Sequence, residues 1–229
     1  MYILHYAPDN ASLVIRLALE ELGQPYRTRL VDRQRQEQKG AAYRALNPQG
    51  LIPALVTPQG AIFETGAILL WLADRHRALA PMPDGADRPA FLSWLFFLSN
   101  TVHADLRRLF YTERHAAPEC LADHRARTAA ALCGHYDLLE ALAARKPGWF
   151  AGAEPTALDL YLAALMRWSA LYPRGNTGWY TPGRWPGLLA MLRRLETRAS
   201  VAAATAAEGL GDTPFSAPGL PHPPEGSAT

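Results

Sequence analysis

With 229 residues, of which 49% are hydrophobic and 19% are charged, the chain has the composition of a globular protein with one large domain or two small ones. Its net charge is only +2 and its basic residues are scattered, so we expect no nucleic-acid partner. No apolar run approaches the roughly 18 residues of a membrane span, and no basic and apolar leader opens the chain, so we expect no membrane partner.

The cysteines and histidines argue against a disulfide framework and a metal site. Cys120 and Cys133 lie in one helical segment, where their spacing corresponds to roughly 20 Å, too far for a local bridge. The seven histidines are scattered and no Cys-x-x-Cys pair occurs, so the sequence predicts no bound metal. Unpaired thiols are typical of a reducing compartment, and we expect a cytoplasmic protein.

The first part of the chain predicts a strand, a helix and a second strand. Tyr2–Tyr6 is a β-branched and aromatic run that ends at a turn with proline and Asx residues. Residues 12–22 show helical spacing and end at Gly23, and residues 26–31 alternate like a strand. Two strands joined through a helix are expected to run parallel.

A hairpin and a helix are predicted next. Residues 32–40 are polar and predict a surface loop, followed by a short helix near residues 41–46. Residues 54–57 and 61–63 flank a Pro-Gln-Gly turn, which favours an antiparallel hairpin. Thr65–His76 then shows the spacing of an amphipathic helix.

The second half of the chain predicts helices and shows no convincing strand pattern. Asp87 is placed to cap a helix that carries the apolar run Phe91–Leu98. Thr156 and Asp159 match a capping box in its Asp variant and mark another helix start. The predicted helices span residues 87–98, 121–145, 156–172, 186–194 and 201–208.

Proline and glycine divide the chain into domains. They occur repeatedly in the stretch that joins the two halves. Together with serine they are also frequent beyond Gly211, which predicts an irregular tail. We expect an α/β domain over residues 1–78, a linker over 79–86, an all-helical domain over 87–210 and a tail over 211–229.

The stretch Asn47–Leu55 is the first candidate for ligand binding. Its Ile52-Pro53 bond precedes a predicted strand, and trans is the common isomer, since only about 5 to 6% of such bonds are cis. A cis bond would leave the N–H and C=O of Ile52 unpaired at a cleft edge, where an extended peptide adds as a strand. The sequence leaves both isomers open.

Glu64 and Thr65 follow at the start of the next predicted helix. Together with Asn47–Leu55 they resemble the glutathione-binding half of the glutathione S-transferase family, a resemblance that extends to about Gly209. It implies a cis Ile52-Pro53 bond, pairing of the Ile52 backbone with the cysteinyl part of glutathione, and a Glu64-Thr65 pair that holds the γ-glutamyl group. The implied glutathione-binding residues are Gln49, Leu51, Ile52, Pro53, Glu64 and Thr65.

The resemblance also implies a fold and an assembly. The fold is a thioredoxin-like α/β domain (βαβ-ββα) followed by an all-α helical bundle, and the family is typically dimeric. The apolar residues of Phe91–Leu98 circle their helix, which also favours a homodimer. The pattern is nearest to bacterial Beta-like members, but Ala11 stands where the Beta class has a cysteine, so a mixed disulfide between protein and glutathione is not expected.

Three side chains are candidates for activating the glutathione thiol. In the family this group is a tyrosine that ends the first strand, or a serine or cysteine that starts the first helix. The tyrosine and serine candidates here are Tyr6 and Ser12. Ser12 ranks first because its hydroxyl and the helix N-terminus both favour a thiolate, although it also fits a plain helix cap. Tyr6 also fits a packing role, and Asn10 offers either an amide donor or a turn residue.

His103, Arg108 and Tyr111 are candidates for the electrophile pocket. His103 corresponds approximately to a histidine that Beta-class enzymes place near the thiol, and Asp105 lies on the same helix. A histidine on an amphipathic helix also fits a half-buried packing role. The implied function is transfer of the glutathione thiolate to a small hydrophobic electrophile. The alternatives are a non-catalytic glutathione-binding protein and a glutathione-dependent disulfide reductase or peroxidase.

Overall fold

A computed structural model describes residues 1–228 of the chain. It contains a mixed α/β half followed by a helical half, as the sequence predicts. The strands are β1 (Tyr2–Tyr6), β2 (Tyr26–Leu30), β3 (Ala54–Thr57) and β4 (Gly60–Phe63). The helices are α1 (Ser12–Glu21), α2 (Ala41–Arg44), α3 (Thr65–His76), α4 (Arg88–Phe97), α5 (His103–Phe110), α6 (Leu121–Ala144), α7 (Ala157–Leu171), α8 (Pro186–Glu196) and α9 (Ala199–Glu208).

The four strands form one mixed sheet in the order β2-β1-β3-β4. β1 and β2 are parallel, and β3 pairs antiparallel with both β1 and β4, which confirms the predicted βαβ-ββα order. Because β3 runs opposite to its neighbours, its first residue, Ala54, lies beside His5 near the end of β1 and Phe63 at the end of β4. One edge of the sheet therefore collects the turns that follow β1 and β4 and the segment that precedes β3.

Two helices form the centre of the molecule. In α1, every residue from Ser12 to Leu19 is buried, and the helix packs against α3, α7 and α9. In α7, all residues except Ala170 are buried. Other elements cover each face of these helices, so apolar residues lie on every side, and the charged residues Arg16, Asp159 and Arg167 are buried with them.

Of the two side-chain caps predicted for helix starts, one is present and one is not. The Thr156–Asp159 capping box is present: the Asp159 carboxylate accepts from the Thr156 N–H and also from the Ala151 N–H, each at 2.7 Å. The predicted cap at Asp87 is wrong. Its backbone is already helical, with φ −81° and ψ −10°, and its side chain makes no capping bond to α4. A π-helical turn over Leu98–Val102 then carries the chain directly into α5.

The segment after α9 has irregular backbone as far as residue 228, but it lies against the protein body. Phe215 is buried, and the Glu196 carboxylate accepts from its N–H at 2.8 Å. Gly209 ends α9 with φ +63°, and a Cβ there would lie 2.0 Å from the carbonyl oxygen of His222. Only glycine fits so close a return of the chain. Within residues 1–228, no helix is long and apolar enough to cross a membrane.

Candidate glutathione site

The segment before β3 leaves the backbone of Ile52 outside the sheet. The Ile52-Pro53 bond is cis, and the β1–β3 pairing begins only at Ala54. The preceding carbonyl, that of Leu51, is held by the Tyr43 hydroxyl at 2.8 Å and the Asn47 amide at 2.7 Å. These two bonds fix the chain immediately before Ile52. Tyr43 was not among the predicted site residues, and its place in a four-residue helix gave no signal.

The turn between β4 and α3 presents the predicted acidic and hydroxyl pair. Glu64 has φ +72°, a left-handed value uncommon outside glycine, and its carboxylate is exposed. It accepts a hydrogen bond from the Gln49 side chain at 2.9 Å. Thr65 follows as the buried first residue of α3. Gln49 and Glu64 are thus in direct contact across the cleft edge, next to Ile52 and Thr65.

Tyr6 points into the protein body. Its hydroxyl donates to the carboxylate of Glu225 in the C-terminal segment, and the guanidinium of Arg16 lies 4.7 Å from its ring centre. Burial and the hydrogen bond to Glu225 raise the pKa of Tyr6. In this arrangement the Tyr6 hydroxyl already donates its hydrogen bond to a carboxylate, and the residue is only 2% exposed.

Ser12 and Asn10 differ in exposure. The Ser12 hydroxyl is fully buried and closes the turn after β1, because it donates to the Ala7 carbonyl at 3.0 Å and accepts from the Ala7 N–H at 3.2 Å. The Asn10 side chain is only partly buried, and its carbonyl accepts from the Ala11 N–H at 2.8 Å. Asn10 is therefore the most accessible of the three predicted thiol-activating side chains.

The residues predicted for the electrophile pocket do not converge. His103 faces α7, where its Nδ1 lies 2.7 Å from the Tyr161 hydroxyl and its ring packs on Trp168. Arg108 lies on another side of α5 and donates to Asp105, which also bonds His135 on α6. The Tyr111 ring, beyond the end of α5, is covered by the guanidinium of Arg114 at 4.3 Å.

His103 and Thr65 both meet Tyr161, which sequence reasoning did not identify. Burial, with a smaller contribution from Arg107, lowers the pKa of His103 to about 4, so the ring is neutral at pH 7. Burial raises the pKa of Tyr161, and a hydrogen bond with the Thr65 side chain opposes that rise. Tyr161 therefore connects the start of α3 with α5 from the centre of α7. A buried polar residue in an apolar helix was the available signal.

Asp9 is a second residue that the sequence did not mark. It lies in the turn after β1, yet its carboxylate is completely buried against α7 and pairs with Arg167 at 2.8 Å. An Asp that follows a proline is typical of a surface turn, so the sequence did not indicate that Asp9 is buried.

Comparisons with known proteins identify the family. The family model of the glutathione S-transferase N-terminal domain matches residues 11–75. Glutathione S-transferase GstA of Escherichia coli O157:H7 is 28% identical over 213 residues, which cover 90% of this chain and 98% of the relative. The solved structure of a sphingomonad glutathione S-transferase complexed with glutathione is 31% identical, with 91% of this chain and 100% of that chain covered and a TM-score of 0.75. The chain belongs to the glutathione S-transferase family.

Relatives of this chain carry more than one activity in their names. Disulfide-bond oxidoreductase YfcG of Escherichia coli strain K12 is 32% identical over 128 residues, which cover 53% of this chain and 59% of the relative. The family and the thioredoxin-like fold with its helical second half are confirmed. In the part of the chain that the structure describes, no group of three His, Cys, Asp or Glu side chains is arranged to hold a metal ion.

A groove along α6 lies away from these residues. It has a volume of about 540 Å³ and is lined by α6 residues together with Trp179 and Arg184. None of the predicted site residues lines it. Its position gives no support for the predicted electrophile pocket.

Proposed function

We propose that this transferase binds glutathione at the sheet edge where Ile52, Glu64 and Thr65 meet. The observation that carries the proposal is the Gln49–Glu64 contact beside a backbone segment, Ile52, that the sheet leaves unpaired. The Ile52 N–H and C=O would pair with the cysteinyl unit as an added strand. Glu64 would hold the γ-glutamyl ammonium, and the start of α3 would hold its carboxylate.

The thiol would then lie at the N-terminus of α1. The first N–H groups of a helix have no intrahelical acceptor, and the helix dipole favours an anion there. Asn10 supplies an accessible amide at the same end. We propose that these donors stabilise the thiolate and that Ser12 shapes the turn through its two bonds with Ala7.

We propose glutathione transfer to a small hydrophobic electrophile as the reaction. A thiolate bound beside the helical half can attack an apolar acceptor there, and GstA and the sphingomonad relative are both named transferases. We place the protein in the cytoplasm because both of its cysteines are free thiols. We also propose that it acts as a homodimer.

Glutathione-dependent disulfide reduction is the second candidate, because YfcG carries that activity in its name. Neither Cys120 nor Cys133 belongs to the turn after β1, so a reductase mechanism here would use the glutathione thiolate itself as the nucleophile. Turnover of the purified protein with glutathione and either an aryl halide or a small disulfide separates the two reactions. Binding without turnover of either would leave a non-catalytic glutathione-binding protein.

Thermal melting tests the binding proposal. At a glutathione concentration 100 times the dissociation constant, the gain in unfolding free energy is about 2.7 kcal/mol. We therefore expect glutathione to raise the melting temperature of the wild type, and to raise that of Thr65→Ala much less. Thr57→Ala is the matched control, because both threonines are 6% exposed but Thr57 is the last residue of β3, at the opposite end of that strand from Pro53. No shift in the wild type at saturating glutathione would overturn the proposed function.

A further inference from the structure

A buried carboxylate in the turn after β1, that of Asp9, ties this turn to the helical half. Asp9 accepts from the Arg167 Nε at 2.8 Å and Nη2 at 3.1 Å, from the Trp168 indole at 2.9 Å and from the Tyr172 hydroxyl at 2.9 Å. Its own N–H donates to Glu208 at 2.8 Å. Asp9 itself has φ +48°, a left-handed conformation that these bonds hold in place.

Arg167 has all of its donors engaged. A guanidinium carries five N–H groups in a fixed planar fork. Two of them bind Asp9, and the other three bind backbone carbonyls of the chain after α9. Those carbonyls belong to Leu210, Pro214 and Gly219. Lysine at this position would keep the charge but lose the fork.

We propose that Asp9 and Arg167 are positioning residues for the glutathione thiol. The inference rests on the proposed function. Asn10 and the first N–H groups of α1 follow Asp9 directly, so the Asp9 backbone sets where those donors point. Donors that stabilise a developing or resident charge must be held within a fraction of an ångström to be effective.

The Asp9–Arg167 pair also links the α/β half of the protein to the helical half. Asp9 belongs to the α/β half that would bind glutathione, whereas Arg167 lies on α7 in the helical half. Trp168, which donates to Asp9, packs its ring against His103. The same buried contact therefore fixes the turn after β1 relative to α7 and, through Trp168, to His103 on α5.

Two variants test the proposal, with a control variant at another ion pair. Arg167→Lys removes the fork and Asp9→Asn removes the charge, while Asp74→Asn breaks an ion pair of similar length, 2.7 Å to Arg88, at a site away from the turn. The readouts are glutathione affinity, turnover number, and the pKa of bound glutathione from the ultraviolet absorbance of its thiolate.

We expect Arg167→Lys to raise the thiol pKa by about one unit, and we expect both Arg167→Lys and Asp9→Asn to lower turnover about tenfold, with glutathione affinity changed less than about twofold. In Asp9→Asn, the loss of a carboxylate near the thiol opposes the rise in its pKa, so turnover is the readout for that variant. The Asp74→Asn control should change none of the three. If the variants lower the melting temperature but leave the thiol pKa and the turnover number unchanged, the pair is structural only and the proposal is overturned.

The variant Tyr172→Phe covers the case in which the charge variants do not fold. It removes one hydrogen bond to Asp9 and leaves the Asp9–Arg167 ion pair in place. It should raise the thiol pKa in the same direction by a smaller amount, and an unchanged pKa would count against the proposal. Failure of the proposed function is distinct, because the wild type would then bind no glutathione.

Discussion

Replacing Ser12 with alanine separates two roles for its hydroxyl. In the structure the hydroxyl makes both of its bonds to Ala7 and is fully buried. The alanine variant would leave the N–H and C=O of Ala7 without these partners, and each unsatisfied buried group costs about 1 to 3 kcal/mol. Because the turn can relax and admit water, we expect a total loss of about 2 kcal/mol in unfolding free energy.

Replacing Asn10 should have the opposite effect, a small change in stability and a large change in the pKa of bound glutathione. Its amide is partly exposed just before the N-terminus of α1, so Asn10→Ala should cost little stability. A hydrogen bond to a charged group contributes about 1.5 to 3 kcal/mol, and one pKa unit corresponds to about 1.4 kcal/mol. We therefore expect Asn10→Ala to raise the pKa of bound glutathione by about 1 to 2 units. Asn10→Asp keeps the acceptor for Ala11 and should raise it further, because it places a carboxylate beside the thiolate.

The assay combines urea unfolding with spectroscopic titration of bound glutathione. Ser12→Ala should lower the unfolding free energy with only a small change in the thiol pKa. The reasoning is refuted if Ser12→Ala leaves stability intact and raises the thiol pKa, since the hydroxyl would then face the ligand. Tyr6→Phe should leave the thiol pKa unchanged, because that hydroxyl is bound to Glu225.

Two further predictions concern assembly and pH. Phe96→Asp should convert a dimer of about twice 25.1 kDa into a monomer in light scattering, whereas Leu138→Asp, at a similarly exposed residue of α6, should remain dimeric. A wild type that stays at the monomer mass at all concentrations would contradict the dimer. The pKa of His103, lowered to about 4 against about 6.5 when unfolded, means that its stability contribution is complete above pH 6.5 and is lost as the pH falls toward 4. Relative to His103→Asn, the wild type should lose about 2 kcal/mol of unfolding free energy between pH 7 and pH 5, and parallel pH profiles would show that the ring titrates normally.

Local pattern was enough to predict most of the fold. Two strands around a helix, a Pro-Gln-Gly turn and the Thr156–Asp159 capping box each depend on neighbours in sequence, and all three appear as expected. Asp87 failed as a cap because cap identity also depends on backbone angles that the sequence does not reveal. The tail was predicted as irregular from its composition, but composition could not show that Phe215 is buried and that the segment reaches Tyr6.

The candidate site was predictable where it depends on short motifs and not where it depends on long-range contacts. Gln49, Ile52, Glu64 and Thr65 lie on one sheet edge because strand order alone brings their segments together. The partner of Asp9 is 158 residues away, and no local pattern marks a contact of that kind.

The buried polar contacts of α7 link the two halves of the protein at the proposed thiol site. Tyr161 meets Thr65 and His103, and Arg167 holds Asp9 in the turn before α1. Each of these contacts removes a polar group from water, so each is stable only while its partner stays in place. A shift of α7 relative to the sheet would therefore disturb the γ-glutamyl side and the thiol side together. The same helix that completes the core also fixes the half that would bind glutathione relative to the half that would bind the electrophile.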